Sequence, residues 1–93
     1  MECESQKINI LMVDDNPANL LSLEAILQAP DRNLVRAASG NDALRYLLDC
    51  DVSVILLDVN MPGMDGFETA ELIRQRTRSE LTPIIFVSAI NDN

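Results

Sequence analysis

Four polar residues stand where short apolar runs of this chain end: Asp14, Asp15, Asp58 and Ser88. Because the carboxyl ends of parallel strands meet at one edge of a sheet, we expect these side chains to lie close together. Each of them alone has an ordinary structural explanation, such as an acidic helix start or a strand-end hydroxyl. Their coincidence at the ends of separate runs favours a functional site.

Carboxylates that lie side by side oppose each other's ionisation unless a cation offsets their charge. Oxygen ligands without histidine or thiolate are typical of Mg²⁺, or of Mn²⁺, rather than of zinc. Mg²⁺ also accepts phosphate oxygens, and an aspartate can act as a nucleophile toward phosphorus. The pattern therefore predicts a phosphoryl-transfer site, in which Ser88 donates a hydrogen bond to a phosphoryl oxygen.

Four apolar runs predict the strands that position these residues, at 8–13, 33–38, 52–57 and 84–88. The second run is expected nearer an edge of the sheet, because Arg36 interrupts it. The last run is apolar throughout, which is typical of a strand buried on both faces.

Three helices are predicted between the strands. The first begins after an N-cap at Asn16 and ends near residue 29, and the second begins after an N-cap at Ser39. The third runs from residue 65 or 66 to 78. Inward-facing positions are predicted at Leu20, Leu23, Leu27, Ala43, Leu44, Leu47, Leu48, Phe67, Ala70 and Ile73. The order β-α-β-α-β-α-β predicts an α/β fold, a doubly wound parallel sheet with helices on both faces.

Composition excludes several classes of partner. The net charge is −8, so we expect no direct binding to nucleic acid or to a membrane surface. No apolar run is long enough to span a membrane, and the acidic start is unlike a signal peptide, so a soluble, cytoplasmic protein is expected. Cys3 and Cys50 lack metal-binding spacing and are expected to be free thiols. The basic run at 74–78 is expected to be a solvated helix end.

The chain resembles the receiver domain of the two-component response regulator family, which has a flavodoxin-like fold. The residues that carry the resemblance are LMVDDNPAN at 11–19, SGNDAL at 39–44, VILLDVNMPGMDGFE at 54–68 and TPIIFVSA at 82–89. The resemblance covers nearly the whole chain, and the combination of VDD with LLDVNMPGMDG is highly specific.

The resemblance implies a role for each site residue. Asp58 would be the phosphoacceptor and would also contact Mg²⁺. Asp15 would bind the metal directly, Asp14 largely through water, and Asn60 through its backbone carbonyl. Ser88 would be the switch hydroxyl. The phosphodonor would be a sensor histidine kinase or a histidine phosphotransfer protein, and the domain would relay the signal by a conformational switch rather than act as a metabolic enzyme.

One departure from the family pattern concerns the C-terminal end. Receiver domains continue past the fourth strand into a helix, a fifth strand that begins with a lysine, and a last helix. Here no lysine follows Asp58, and Lys7 precedes the first strand. We therefore expect one receiver domain, residues 1–93, truncated at its C-terminal end and able to form a homodimer through an exposed fourth strand.

Two alternatives belong to other functional classes. A pseudo-receiver would act only as a protein–protein interaction module. A metal-dependent phosphatase with an aspartyl nucleophile would need a second acid two residues after Asp58, where this chain has Asn60.

Overall fold

The computed structural model describes residues 3–87, in which strands and helices alternate. The strands are β1 (Ile8–Val13), β2 (Arg32–Ala37), β3 (Val54–Asp58) and β4 (Ile84–Val87), and the helices are α1 (Pro17–Leu27), α2 (Gly40–Asp49) and α3 (Gly66–Arg74). All paired strands are parallel, in the order β2-β1-β3-β4. The predicted α/β doubly wound parallel sheet is thereby confirmed.

The central strands β1 and β3 are covered on both faces. On one side Leu11, Ile55 and Leu57 belong to the larger core cluster, to which α2 and α3 also contribute. On the other side Met12 packs with Leu20 of α1. This double coverage explains why both strands read as continuous apolar runs rather than as alternating ones. The expectation that β2 lies at an edge is also confirmed.

The predicted N-caps of α1 and α2 are confirmed. The Asn16 side chain accepts a hydrogen bond of 2.9 Å from the N–H two residues later, and the Ser39 hydroxyl accepts one of 3.1 Å from the N–H three residues later. Helix α3 begins with a full capping box, in which Asp65 and Glu68 each accept from the other's backbone N–H. These bonds fix all three helix starts at the carboxyl edge of the sheet.

Helix α3 ends at Arg74, earlier than predicted, because the chain turns and is tied to other elements. The guanidinium of Arg74 donates to the carbonyls of Glu80 and Thr82. Arg76 donates to the carbonyl of Leu44 in α2 at 2.6 Å. The side-chain groups that were expected to be solvated are therefore engaged with backbone carbonyls.

Arg78 makes the most extensive of these attachments. Its guanidinium donates to the carbonyls of Leu48 and Asp49 at 2.9 and 3.1 Å, and to the carboxylate of Asp51 at 2.6 Å. The last carbonyls of a helix have no partner within the helix, so cationic donors are favourable there. Arg74 and Arg78 are exposed, as expected of a solvated basic helix end, but their guanidinium groups also donate to backbone carbonyls.

Several apolar side chains are more exposed than predicted. Leu48 and Phe67, both expected to face inward, are 60% and 59% exposed. Strand β4 exposes 53% of Ile85 and 44% of Phe86, whose ring lies 5.1 Å from that of Phe67. Ile85 and Phe86 are consecutive, so their side chains point to opposite faces of the sheet, and this strand is therefore not buried on both faces. Within residues 3–87 no strand pairs with the outer edge of β4.

The cysteines correct another expectation. Cys3 and Cys50 form a disulfide with a Cα–Cα distance of 5.5 Å, so neither is a free thiol. The two are 47 residues apart in sequence, and no local spacing pattern reports such a pairing. None of the three described helices has the length and apolarity that crossing a membrane requires.

Candidate functional site

The register of the central strands brings the predicted acids together. Val13 of β1 pairs with Leu57 of β3, so the next residue of each strand, Asp14 and Asp58, lies at the same edge. Asp14, Asp15 and Asp58 each offer one carboxylate oxygen, and these three oxygens lie within 4.8 Å of one another. The predicted convergence of these three residues is confirmed.

Asp14 is held in a fixed orientation. It is 3% exposed, and its Oδ1 accepts a hydrogen bond of 2.9 Å from the backbone N–H of Asn16. Its Oδ2 accepts one of 3.2 Å from the side-chain amide of Asn19, in the first turns of α1. Sequence reasoning missed Asn19, although the short distance from Asp14 through a helix start was a usable signal. Asp15, in contrast, is exposed to solvent.

The surroundings of Asp58 disfavour its ionised form. It is 6% exposed, and burial raises its pKa, as do the charges of Asp14 and Asp15. The backbone N–H groups of Asn60 and Val59 act in the opposite direction without reversing the shift. A positive charge brought into the cluster would therefore favour the ionised, nucleophilic form of Asp58.

The donor set of the cluster fits a hard divalent cation. Within the described part of the chain, every salt bridge joins other acids to arginines, and none involves the three clustered aspartates. Lys7 precedes β1, at the opposite end of the sheet, where it lines a cleft together with Asp49 and Asp51. Three carboxylate oxygens with no histidine, thiolate or basic side chain among them are the ligands that Mg²⁺ and Mn²⁺ prefer.

The loop after β3 closes tightly behind the cluster. Met61 is 7% exposed and anchors the loop in the core, whereas Asn60 is exposed beside the acids. Gly63 adopts a positive φ of 76°, a conformation that glycine accepts without steric cost. At Gly66 a side chain would overlap the backbone carbonyl of Asp58. The first residue of α3 therefore packs directly against the backbone of Asp58.

Ser88 lies outside the described residues. The preceding residue, Val87, pairs with Asp58 in the register of β3 and β4. The predicted role of Ser88 remains a prediction.

The chain is similar to two known bacterial proteins over most of its length. It is 37% identical over 82 residues to the signal transduction histidine-protein kinase BarA of Escherichia coli K12. The aligned region covers 88% of this chain and 9% of BarA. It is 29% identical over 89 residues to protein PilG of Pseudomonas aeruginosa, and the aligned region covers 96% of this chain and 66% of PilG. The chain thus spans less than two thirds of the length of either relative.

Two solved structures are also similar to this chain. The chemotaxis protein CheY4 of Vibrio cholerae superposes with a TM-score of 0.84 at 30% identity, over 92% of this chain and 72% of that one. The response regulator TrrA of Thermotoga maritima, solved in complex with Mg²⁺ and BeF, superposes with a TM-score of 0.80 at 31% identity, over 90% of this chain and 71% of TrrA. The family model of the response regulator receiver domain matches residues 10–93. The chain therefore belongs to the receiver domain family of two-component response regulators.

Proposed function

We propose that this receiver domain accepts a phosphoryl group from a phosphohistidine onto Asp58, with the assistance of Mg²⁺. The observation that carries the proposal is the cluster of three carboxylates around a buried Asp58 whose pKa is raised. Such a cluster is unfavourable for the folded chain unless a cation occupies it. The complex of the similar protein TrrA with Mg²⁺ and BeF supports the same reading.

In the proposed reaction a carboxylate oxygen of Asp58 attacks phosphorus and the bond from phosphorus to the histidine nitrogen breaks. The bonding electrons return to the histidine ring, which leaves unphosphorylated. Asp14, Asp15 and Asp58, with the backbone carbonyl of Asn60, would hold Mg²⁺, and Mn²⁺ has the same ligand preference. The cation would offset the negative charge of the incoming phosphoryl oxygens.

The proposed readout is a conformational switch at the end of β4. The residue that follows Val87 in the sequence is Ser88, and Val87 pairs with Asp58. We assign Ser88 the role of the hydroxyl that donates a hydrogen bond to a phosphoryl oxygen. Because β4 leads directly to Ser88, a movement of Ser88 toward the phosphoryl group would change the surface around the strand.

The proposed phosphodonor is a sensor histidine kinase or a histidine phosphotransfer protein, and the proposed location is the cytoplasm. The similarity to BarA, which is named as a histidine-protein kinase, supports a partner of this class. The domain would contribute to its own phosphorylation without being an enzyme in the metabolic sense, because the acceptor is its own side chain.

Labelling with a small phosphodonor tests the proposal directly. Acetyl phosphate and Mg²⁺ should phosphorylate the chain, Asp58→Asn should abolish the label, and Asp15→Asn should cripple the binding of Mg²⁺. The matched control is Asp31→Asn, which removes an exposed carboxylate outside the cluster and should leave labelling unchanged. Labelling that survives in the Asp58→Asn protein would contradict the proposal. A complete lack of labelling in the unmutated chain would favour the interaction-only pseudo-receiver.

We also propose that the exposed side of β4 mediates homodimerisation. Ile85 and Phe86 are half-exposed, and Leu81, before the strand, is 89% exposed. Apolar strand edges of this kind favour association with another chain. The net charge of −8 should weaken association at low salt, so sedimentation should show more dimer as salt rises. Ile85→Lys should restore the monomer, whereas Ile26→Lys on α1 should not. A monomer at high concentration and high salt would refute the proposal.

A further inference from the structure

The disulfide between Cys3 and Cys50 lies at the amino-terminal ends of the strands, and the acidic cluster lies at their carboxyl ends. Cys50 is the C-cap residue of α2, and Cys3 belongs to the segment that precedes β1. Their Cα–Cα distance of 5.5 Å is within the range of native disulfides, so the folded backbone places the two residues for bonding.

The two sulfur-bearing residues differ sharply in accessibility. Cys50 is 1% exposed and belongs to the core, whereas Cys3 is an exposed residue. Cys3 also lines an open cleft of about 350 Å³, together with Lys7, Asp51 and Arg78. Thiol–disulfide exchange requires direct approach of a thiolate to one of the sulfurs. In the folded chain only the sulfur of Cys3 offers that approach.

Few other contacts hold the segment that carries Cys3. The side-chain amide of Asn9 donates to the carbonyl of Glu4 at 2.6 Å, and the N–H of Gln6 donates to the side chain of Glu4 within the same segment. Asn9 itself is fixed, because it accepts from the side chain of Asn33 at 2.9 Å and, through its carbonyl, from the N–H of Ser53 at 2.8 Å. The disulfide is thus the covalent part of a short attachment. Its loss would leave the segment held by the hydrogen bond between Asn9 and Glu4 and by the contact of 3.3 Å between the Cys3 sulfur and the carbonyl of Asp49.

We propose that Cys3 is a thiol-exchange site and that the Cys3–Cys50 pair is a redox-sensitive disulfide that reversibly attaches the N-terminal segment to α2. The reductant class is a small thiol such as glutathione. Its thiolate forms a bond to the sulfur of Cys3, the Cys3–Cys50 bond breaks, and the electron pair stays on Cys50, which takes a proton from water. A second glutathione thiolate then attacks the sulfur of the bound glutathione and the bond to Cys3 breaks. Cys3 leaves as a thiolate and takes a proton from water, which gives oxidised glutathione and the dithiol chain.

The inference does not rest on the phosphoryl chemistry, because the pair and Asp58 lie at opposite ends of the sheet. In a reducing compartment disulfides are rare and mostly transient or redox-sensing. A receiver domain in such a compartment would hold the dithiol at rest and form the disulfide under oxidation. Oxidation would then tie the N-terminal segment to the end of α2, and reduction would release it.

The experiment compares the two cysteines one at a time in the full chain. Cys50→Ala leaves Cys3 and Cys3→Ala leaves Cys50, and each protein is incubated with oxidised glutathione and analysed by mass spectrometry. Cys3 should form the mixed disulfide at least about tenfold faster than Cys50, because modification of Cys50 requires local opening. In urea the two rates should become similar, which shows that folding and not the cysteine itself protects Cys50. Equal rates in the folded proteins would overturn the assignment of Cys3.

A second measurement uses the unmutated chain and needs no variant. Across a series of ratios of reduced to oxidised glutathione, the chain should pass reversibly between dithiol and disulfide. Hydrogen exchange at residues 4–7 should be faster in the dithiol form, while exchange in β1 stays unchanged. Failure to form the disulfide at oxidising ratios, or identical hydrogen exchange in both forms, would refute the reversible attachment of the segment, whatever the outcome of the phosphorylation assay.

Discussion

Replacing Asp58 with asparagine should stabilise the metal-free protein, even though the same change should abolish phosphorylation. The carboxylate oxygens of Asp58, Asp14 and Asp15 lie within 4.8 Å of one another. At that distance two unit charges repel by about 1 kcal/mol in a water-like dielectric and by about 3.5 kcal/mol at an effective dielectric constant near 20. Asparagine has nearly the same shape and removes two of these repulsions at once.

The two repulsions have different weights. Asp14 is buried and its interaction with Asp58 belongs near the upper figure, whereas Asp15 is exposed and its interaction is screened. The amide side chain also accepts weaker hydrogen bonds than a carboxylate from the backbone N–H groups of Val59 and Asn60, which removes part of the gain. We expect a net increase of about 2 kcal/mol in the free energy of unfolding at pH 7.

The pH dependence supplies an independent check of sign. The pKa of Asp58 is raised in the folded chain above its ordinary value of 3.8, so between those two values the folded state binds more protons than the unfolded state. The stability of the unmutated protein should therefore fall as pH rises through that window. The advantage of Asp58→Asn should be absent below the ordinary value and complete above the folded-state pKa.

Urea denaturation in EDTA and in Mg²⁺ measures both effects. Mg²⁺ should stabilise the unmutated chain, because it binds the folded state, and should stabilise Asp58→Asn much less. The control Asp31→Asn should behave like the unmutated protein in both buffers. If Asp58→Asn unfolds at a lower urea concentration than the unmutated chain in EDTA at pH 7, with an unchanged m-value, the electrostatic account of the cluster is wrong.

Four further substitutions test the local structure. Gly66→Ala should lower the free energy of unfolding by roughly 2 kcal/mol or more, because the new methyl group overlaps the carbonyl of Asp58, whereas Gly63→Ala, with open space but a positive φ, should cost about 1 kcal/mol; urea titrations that rank them in the reverse order would contradict this. Ser39→Ala should cost roughly 0.5–2 kcal/mol through loss of the α2 cap, and an unchanged thermal melt would show that the cap contributes nothing. Arg78→Lys should cost about 1 kcal/mol, because an ammonium group does not reproduce the geometry that reaches two helix carbonyls and a carboxylate together, and a melt identical to that of the unmutated chain would refute that reasoning.

The sequence was most informative where apolar runs met polar residues. The strands and the convergence of Asp14, Asp15 and Asp58 followed from the positions where those runs stop, because parallel strands end at one edge. Two N-caps were also predictable, since Asn16 and Ser39 are residue types that cap helices through a local bond. These signals are local in sequence, and local signals can be read without coordinates.

The features that were missed depend on contacts between distant segments. The Cys3–Cys50 bond has no spacing signature, and the hydrogen bonds from Arg76 to Leu44 and from Arg78 to Leu48 join residues 32 and 30 positions apart. Phe67 was assigned to the core from helical periodicity, yet it is largely exposed. Tertiary contacts of this kind override the local pattern, so sequence reasoning brought the three aspartates together correctly but misjudged parts of the scaffold.

The attachments at the end of α2 have a consequence for how this domain tolerates mutation. Arg78 and the Cys3–Cys50 bond both act at one end of the sheet, and the clustered aspartates lie at the other. Substitutions at sites that share no partners have additive effects on stability. Losses incurred by tuning the acidic edge can therefore be offset by gains at the α2 end without interference between them. Such a separation lets the reactivity of the domain and its robustness evolve as independent traits.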